Sequence, residues 1–255
     1  MRKFNFVFDK SKKAISLKKI IFKQFKNSSA KNSDAIVVGG GDGFMLKTIK
    51  KLYKFKKPFY GINCGSVGFL LNKYDTNKIQ EKISKAKITI INPLQVQTIN
   101  KYRRRSSFLA INELSLFRQS KQTSLLKLTI NNHTLIKKLI GDGILLSTPA
   151  GSTAYNLSVN GPILSLNSKK IAITPISPFR PRRWKGKIIS ESKSIYILNL
   201  DPKKRPVAAV ADNNEIRNIV RVKVSINKAI KFKLLFNSSE SLYKKIKSEQ
   251  KRKIN

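Results

Sequence analysis

The chain has 255 residues, with 53 Lys+Arg against 13 Asp+Glu and a formal net charge of +40, yet 40% of its residues are hydrophobic. A chain of this length with that apolar content builds one or two packed domains, so disorder does not explain the charge. One Cys (Cys64) and one His (His133) exclude a disulfide framework or a zinc cage made from these residue types. No secretory signal is present and no run approaches the ~18 apolar residues of a membrane span, so the expectation is a soluble, cytoplasmic protein without a membrane partner. Lys pairs such as Lys12-Lys13, Lys50-Lys51 and Lys169-Lys170 are spread along nearly the whole chain. That spread fits a solvated basic surface better than one nucleic-acid footprint. Acids are the scarce residues, so each one inside a glycine-rich or apolar stretch calls for a reason.

Phe4, Phe6 and Phe8 alternate as a short strand. Residues 12–26 carry Ile15, Leu17, Ile21 and Phe25 at near-helical spacing. Ala35 to Val38 is a short apolar run of the kind buried in parallel sheets, and it ends in Gly39-Gly40-Gly41-Asp42-Gly43. A helical pattern resumes from Phe44 to Phe55, and Pro58 to Ile62 predicts another strand, followed by Gly65 and Gly68. Asp75 is placed to cap a third helix that buries Ile79 and Ile83. The alternation reads as a parallel α/β domain over residues 1–92. From Leu94 to Val224 short alternating runs and turn residues predict a mostly β domain, residues 93–228. Lys231 to Phe236 is a further strand-like run within the remaining residues, 229–255.

Three stretches carry chemistry. Asp42 lies where a strand meets a helix, at the carboxyl edge of the sheet where ligands bind open α/β folds. Glycines there let backbone N–H groups approach phosphate, and the helix start adds partial positive charge. A carboxylate repels phosphate, so it suits a base for an attacking hydroxyl, or else a turn and capping residue. The segment is neither a Walker A loop nor a dinucleotide G-x-G-x-x-G fingerprint. The second stretch runs from Gly141-Asp142-Gly143 through Ser147 to Ser158, rich in small and hydroxyl residues, with Tyr155 as a stacking face. The third is Asn112-Glu113, two polar residues interrupting an apolar strand. His133, beside Asn131-Asn132, reads as a surface residue, and Cys64 as a small packing residue rather than a nucleophile.

The Gly40 to Gly43 turn, Asn63 to Leu70 (NCGSVGFL), Asn112-Glu113 and Gly141 to Ile163 together resemble the NAD kinase family in order and spacing. The Ile173 to Gly186 stretch is similar to its bacterial members. Ala150 stands where many members have Thr, and Asn160 where many have Gly. The resemblance implies an N-terminal Rossmann-like α/β domain, a C-terminal β-sandwich-like domain, and a tail returning to the first. It implies ATP-dependent phosphorylation of the 2′-hydroxyl of the adenosine ribose of NAD, with Mg²⁺ arriving on ATP and a homodimer or homotetramer as the assembly. Asp42 would be the proton acceptor, supported by Gly43, with Lys47 near a phosphate. Asn112 and Glu113 match the nucleotide-binding pair and Asp142 an acid of the NAD site. Ala150, Thr153, Ala154, Tyr155, Asn156, Leu157 and Ser158 match the loop that wraps NAD, and Asn214 stands where a Gln contact is common. A lipid or diacylglycerol kinase, which shares the GGDG turn, and a basic RNA- or membrane-binding protein are the alternatives.

Overall fold

The computed structural model describes residues 2–66 and 68–238. Two compact units form, one from the described residues of Met1–Ile91 and Lys231–Asn255, the other from Asn92–Ile230.

In the first unit the chain runs β1 (Phe4–Phe8), α1 (Lys12–Gln24), β2 (Ala35–Gly40), α2 (Asp42–Leu52), β3 (Phe59–Asn63), α3 (Ile79–Lys85) and β4 (Lys87–Ile91). β1, β2 and β3 pair in parallel. β2 is buried at every position, as a strand covered on both faces must be. Ser11 caps α1 by accepting from the Ala14 N–H, and Ala14, Leu17 and Ile21 face the core. Ile15 is instead 45% exposed, because residues two apart lie about 200° around a helix and cannot share the inner face with Leu17. Two further boundaries differ from expectation. α2 begins at Asp42 rather than Phe44, with Gly41 as its N-cap. Asp75 does not cap α3: its carboxylate accepts from the Asn77 N–H and pairs with Lys82, while Lys78 occupies the cap position in the left-handed region.

The second unit contains β5 (Leu94–Asn100), β6 (Arg105–Ala110), β7 (Glu113–Arg118), β8 (Ser124–Ile130), β9 (His133–Gly141) and β10 (Gly143–Ser147). A 3₁₀ turn (Ala150–Thr153) and the one-turn helix α4 (Tyr155–Ser158) follow. The unit continues with β11 (Lys170–Ile176), β12 (Lys187–Ser190), β13 (Ile195–Asn199), β14 (Val207–Ala211), β15 (Asn214–Ile216) and β16 (Ile219–Ile226). One six-stranded sheet has the order β12-β11-β10-β7-β14-β15 and the other β6-β5-β16-β13-β8-β9. Alternation along each strand turns Leu114, Leu116, Ile144 and Ile173 of the first sheet toward Leu94, Leu128, Ile197 and Val224 of the second, in one continuous core. This is a β-sandwich. Asn160 has φ 59, a left-handed conformation that Asn tolerates better than most residues.

The last described strand, β17 (Phe232–Phe236), returns to the first sheet, whose order is β1-β2-β3-β17-β4. Asn72, fully buried, fastens it: its Nδ2 donates to the Gly61 and Leu235 carbonyls at 3.1 and 2.9 Å, and its Oδ1 accepts from the Asn237 N–H at 2.9 Å. A buried amide satisfied on both sides stabilises the junction of β3 and β17.

Candidate functional site

The first unit gathers its chemistry at the carboxyl ends of β1, β2 and β3. Asp42, the first residue of α2, accepts from the Phe69 N–H through Oδ2 at 2.8 Å and from the Leu70 N–H through Oδ1 at 3.0 Å. Its carboxylate is therefore oriented by backbone donors of the second glycine turn. The glycines around it divide into two kinds. A Cβ on Gly39 would lie 2.7 Å from Phe8, and one on Gly40 2.7 Å from Phe44, so packing demands both. A Cβ on Gly41 or Gly43 would meet nothing within 4 Å. Gly41 has φ −97, and the one described glycine with positive φ is Gly186, so neither flanking glycine is required by backbone strain. Open space beside a helix N-terminus is what a phosphate group needs. Lys47 is exposed on α2, four residues after Gly43 and so on the same helical face.

Cys64 lies just beyond, its N–H donating to the Gly40 carbonyl at 2.9 Å. Burial first, and the nearby Asp9 charge second, push its thiol up to about 11, with Lys13 opposing. The thiolate is thus scarce at neutral pH. Alkylation of Cys64 at pH 7.5 is expected to be at least ~100-fold slower in the native protein than in guanidinium, since the thiolate is the reactive form. A native rate equal to the unfolded one would contradict this. His133 is exposed at the start of β9, as a surface residue would be.

In the second unit three segments meet at one end of the β7–β10 pair. Ser147 of β10 stands opposite Glu113 of β7. The Thr148 N–H donates to the Asn112 carbonyl at 2.9 Å, and its hydroxyl to the Ile111 carbonyl at 2.7 Å. Gly151 lies so close to Asn112 that a Cβ would come within 2.2 Å of the Asn112 carbonyl oxygen. Glu113 and the ring of Tyr155 line one cavity of about 310 Å³ with Ser115, Phe117, Val210 and Asp212. Among the described residues, Asn112 Oδ1 and Glu113 Oε2 are buried without a hydrogen-bond partner. Unsatisfied buried acceptors are costly and rare in folded proteins, which makes the pair, beside this cavity, candidates for ligand contact.

The other expected residues fall around this cavity in different ways. Ala150 and Thr153 are buried in the 3₁₀ turn, Ala154 and Leu157 are half-buried, and Tyr155 and Ser158 are exposed on α4. Asn156 turns inward: its Nδ2 donates to the Pro162 carbonyl and its Oδ1 accepts from the Thr174 hydroxyl, at 2.9 and 2.7 Å. Asn214 is exposed on β15. Asp142 pairs with Arg118 Nε at 2.5 Å at the far end of β10. The five residues of β10 separate it from the Glu113 end by about 16 Å, at ~3.3 Å per residue. Asp212 is the residue that sequence reasoning passed over. In the sequence it reads as a turn residue in Asp212-Asn213-Asn214, although its being one of few acids beside a turn was a usable signal.

The sequence pattern of the ATP-NAD kinase C-terminal domain matches residues 111–245. The NAD kinase of Xanthomonas oryzae pv. oryzae is 39% identical over 247 residues, covering 96% of each chain. This chain belongs to the NAD kinase family. Solved structures agree on the fold: yeast NADH kinase complexed with NADH superposes with a TM-score of 0.82 at 20% identity, over all of this chain and 89% of the other. An NAD kinase from Archaeoglobus fulgidus in complex with ATP gives 0.74 at 22% identity, over 96% and 99%. Membership of the NAD kinase family accounts for the sandwich that carries Asn112-Glu113 as well as for the GGDG turn. No described helix is long and apolar enough to cross a membrane.

Proposed function

We propose that this chain phosphorylates the 2′-hydroxyl of the adenosine ribose of NAD with ATP, giving NADP and ADP. The observation that carries the reading is the Asp42 carboxylate, oriented by two backbone N–H groups between two glycines that face open space. Asp42 takes the proton of the 2′-hydroxyl as its oxygen attacks the terminal phosphorus of ATP. The bond to the leaving ADP oxygen breaks, and the N-terminus of α2 stabilises the phosphate charge. Gly43 leaves room for the phosphates, and Lys47 meets one of them. Asn112 and Glu113 hold the nucleotide, Tyr155 stacks on it, and Thr153 to Ser158 wrap it. Asp142 and Asn214 supply polar contacts, Asp142 after exchange of its bond to Arg118. In this reading Mg²⁺ enters on the phosphates of ATP. The assembly in this reading is a homodimer or homotetramer, to be measured by light scattering, working in the cytoplasm.

The deciding assay incubates the full chain with NAD, ATP and Mg²⁺ and detects NADP with an NADP-specific dehydrogenase. NADP is expected to accumulate. Parallel samples replace ATP by polyphosphate, and NAD by NADH or diacylglycerol. Phosphate transfer to diacylglycerol alone, or to none of these, would overturn the reading.

A further inference from the structure

Asp212, in the turn between β14 and β15, closes the Asn112–Glu113 strand from the side opposite Thr148. Its carboxylate accepts from the Ile111 N–H at 2.8 Å, the Asn112 N–H at 2.9 Å and, at the longer distance of 3.4 Å, the Glu113 N–H. Its own N–H donates to the Glu113 carbonyl at 3.1 Å. The residue holds φ 51, a conformation that persists where surroundings over-determine it. One carboxylate thus organises three consecutive peptide groups about 100 residues away in sequence. It also lines the cavity that Glu113 enters.

We propose that Asp212 is the positioning residue of the nucleotide site, fixing the backbone of Asn112 and Glu113 so that their buried polar side-chain atoms meet NAD. This rests on the functional reading above. Asn112 Oδ1, buried and unpartnered among the described residues, is an acceptor and the protonated Glu113 carboxyl a donor, so the pair presents both to the same ligand. Burial first, and the Asp212 charge second, lift Glu113 to about 8. Of the cavity's other groups, Asp212 and Tyr155 are ionisable, while Ser115, Phe117 and Val210 bring no charge.

The sign follows from that direction. Below pH 8 the proton stays on Glu113. As pH rises through 8 it leaves, the donor is lost and a second negative charge appears beside Asp212, so affinity for NAD falls. The test follows the steady-state rates of NAD phosphorylation by the full chain from pH 6 to 9.5. In wild type, KM for NAD should rise about tenfold across pH 8 with kcat nearly level, a change equal to about 1.4 kcal/mol. Asp212→Asn removes the charge, so this rise should move to lower pH, with KM at pH 7 raised about fivefold or more. Glu113→Gln, which keeps the Asp212 clamp and is neutral at every pH, should show no rise across pH 8. A merely structural Asp212 would lower the melting temperature and leave the pH profile where it was. An unmoved profile in Asp212→Asn, or a persisting rise in Glu113→Gln, overturns the proposal. Wild-type chain that makes no NADP overturns the functional reading and the proposal together; active wild type with an unmoved variant overturns the proposal alone.

Discussion

Replacing Asp42 with Asn should lower kcat for NADP formation about 10³-fold while KM for NAD changes by no more than a few fold. A general base in the transition state contributes roughly 10²–10⁴, and the amide cannot accept the hydroxyl proton. The substitution also disturbs what positions the group. Wild-type Asp42 accepts from both the Phe69 and Leu70 N–H groups. An Asn can turn only one oxygen to them and must set its NH₂ against the other donor, at a cost of about 1–3 kcal/mol. Activity and melting temperature therefore both fall, for separate reasons, and Asp42→Ala separates them. Alanine leaves both donors unpaired but adds no opposing dipole, and it should be as inactive as Asn. Activity surviving in either variant removes Asp42 from the chemistry.

A methyl group on Gly151 should be among the most damaging small changes in the second unit, and one on Gly43 among the mildest in the first. The Gly151 Cβ would lie 2.2, 2.4 and 2.6 Å from the carbonyl oxygen, carbonyl carbon and Cα of Asn112. All three are backbone atoms, tied in place by Thr148 on one side and Asp212 on the other. Neither partner can yield as the end of a flexible side chain would. Overpacking of this kind costs about 1–3 kcal/mol and at times more, so Gly151→Ala should lose about 3 kcal/mol and roughly 6–12 °C in melting temperature. KM for NAD should rise more than about tenfold, because Asn112 moves with the strain. Gly43→Ala provides the contrast. Its Cβ meets nothing in the protein, and alanine within α2 favours the helix by up to about 1 kcal/mol. Its melting temperature should stay level or rise while turnover falls, since the proposed function gives that space to the phosphates. If Gly43→Ala turns over normally, the open space at α2 holds no phosphate.

The elements whose cause is local were readable in the residues. Alternation of Phe4, Phe6 and Phe8 yields β1, and the apolar run from Ala35 yields a strand buried at every position. A mostly β second domain was legible from turn residues at short intervals, such as Asn131-Asn132 and Asp201-Pro202, while its sandwich form came from the family resemblance. What was not legible depends on partners far along the chain. Nothing near Asp212 announces that its carboxylate serves Ile111 and Asn112, since the turn looks like any other hairpin end. Asp75 looked like a cap because the composition suited one, but the Asx turn to Asn77 and the Lys82 pair claim its oxygens. Asn156 matched a binding loop by position, yet its side chain is spent on Pro162 and Thr174.

The place of β17 between β3 and β4 bears on the order in which a ribosome can complete this protein. β4, ending at Ile91, has β17 as its one ladder partner among the described residues. β17 is made some 140 residues later, a delay of roughly seven to thirty seconds at ordinary rates of synthesis. For that interval β3 presents an open edge, β4 lacks its ladder partner, and Asn72 lacks the Leu235 and Asn237 groups it fastens. The sandwich, drawn from one uninterrupted stretch, can close meanwhile. The segment born first is finished last, and chaperones that shield nascent strand edges have their longest task at β3 and β4.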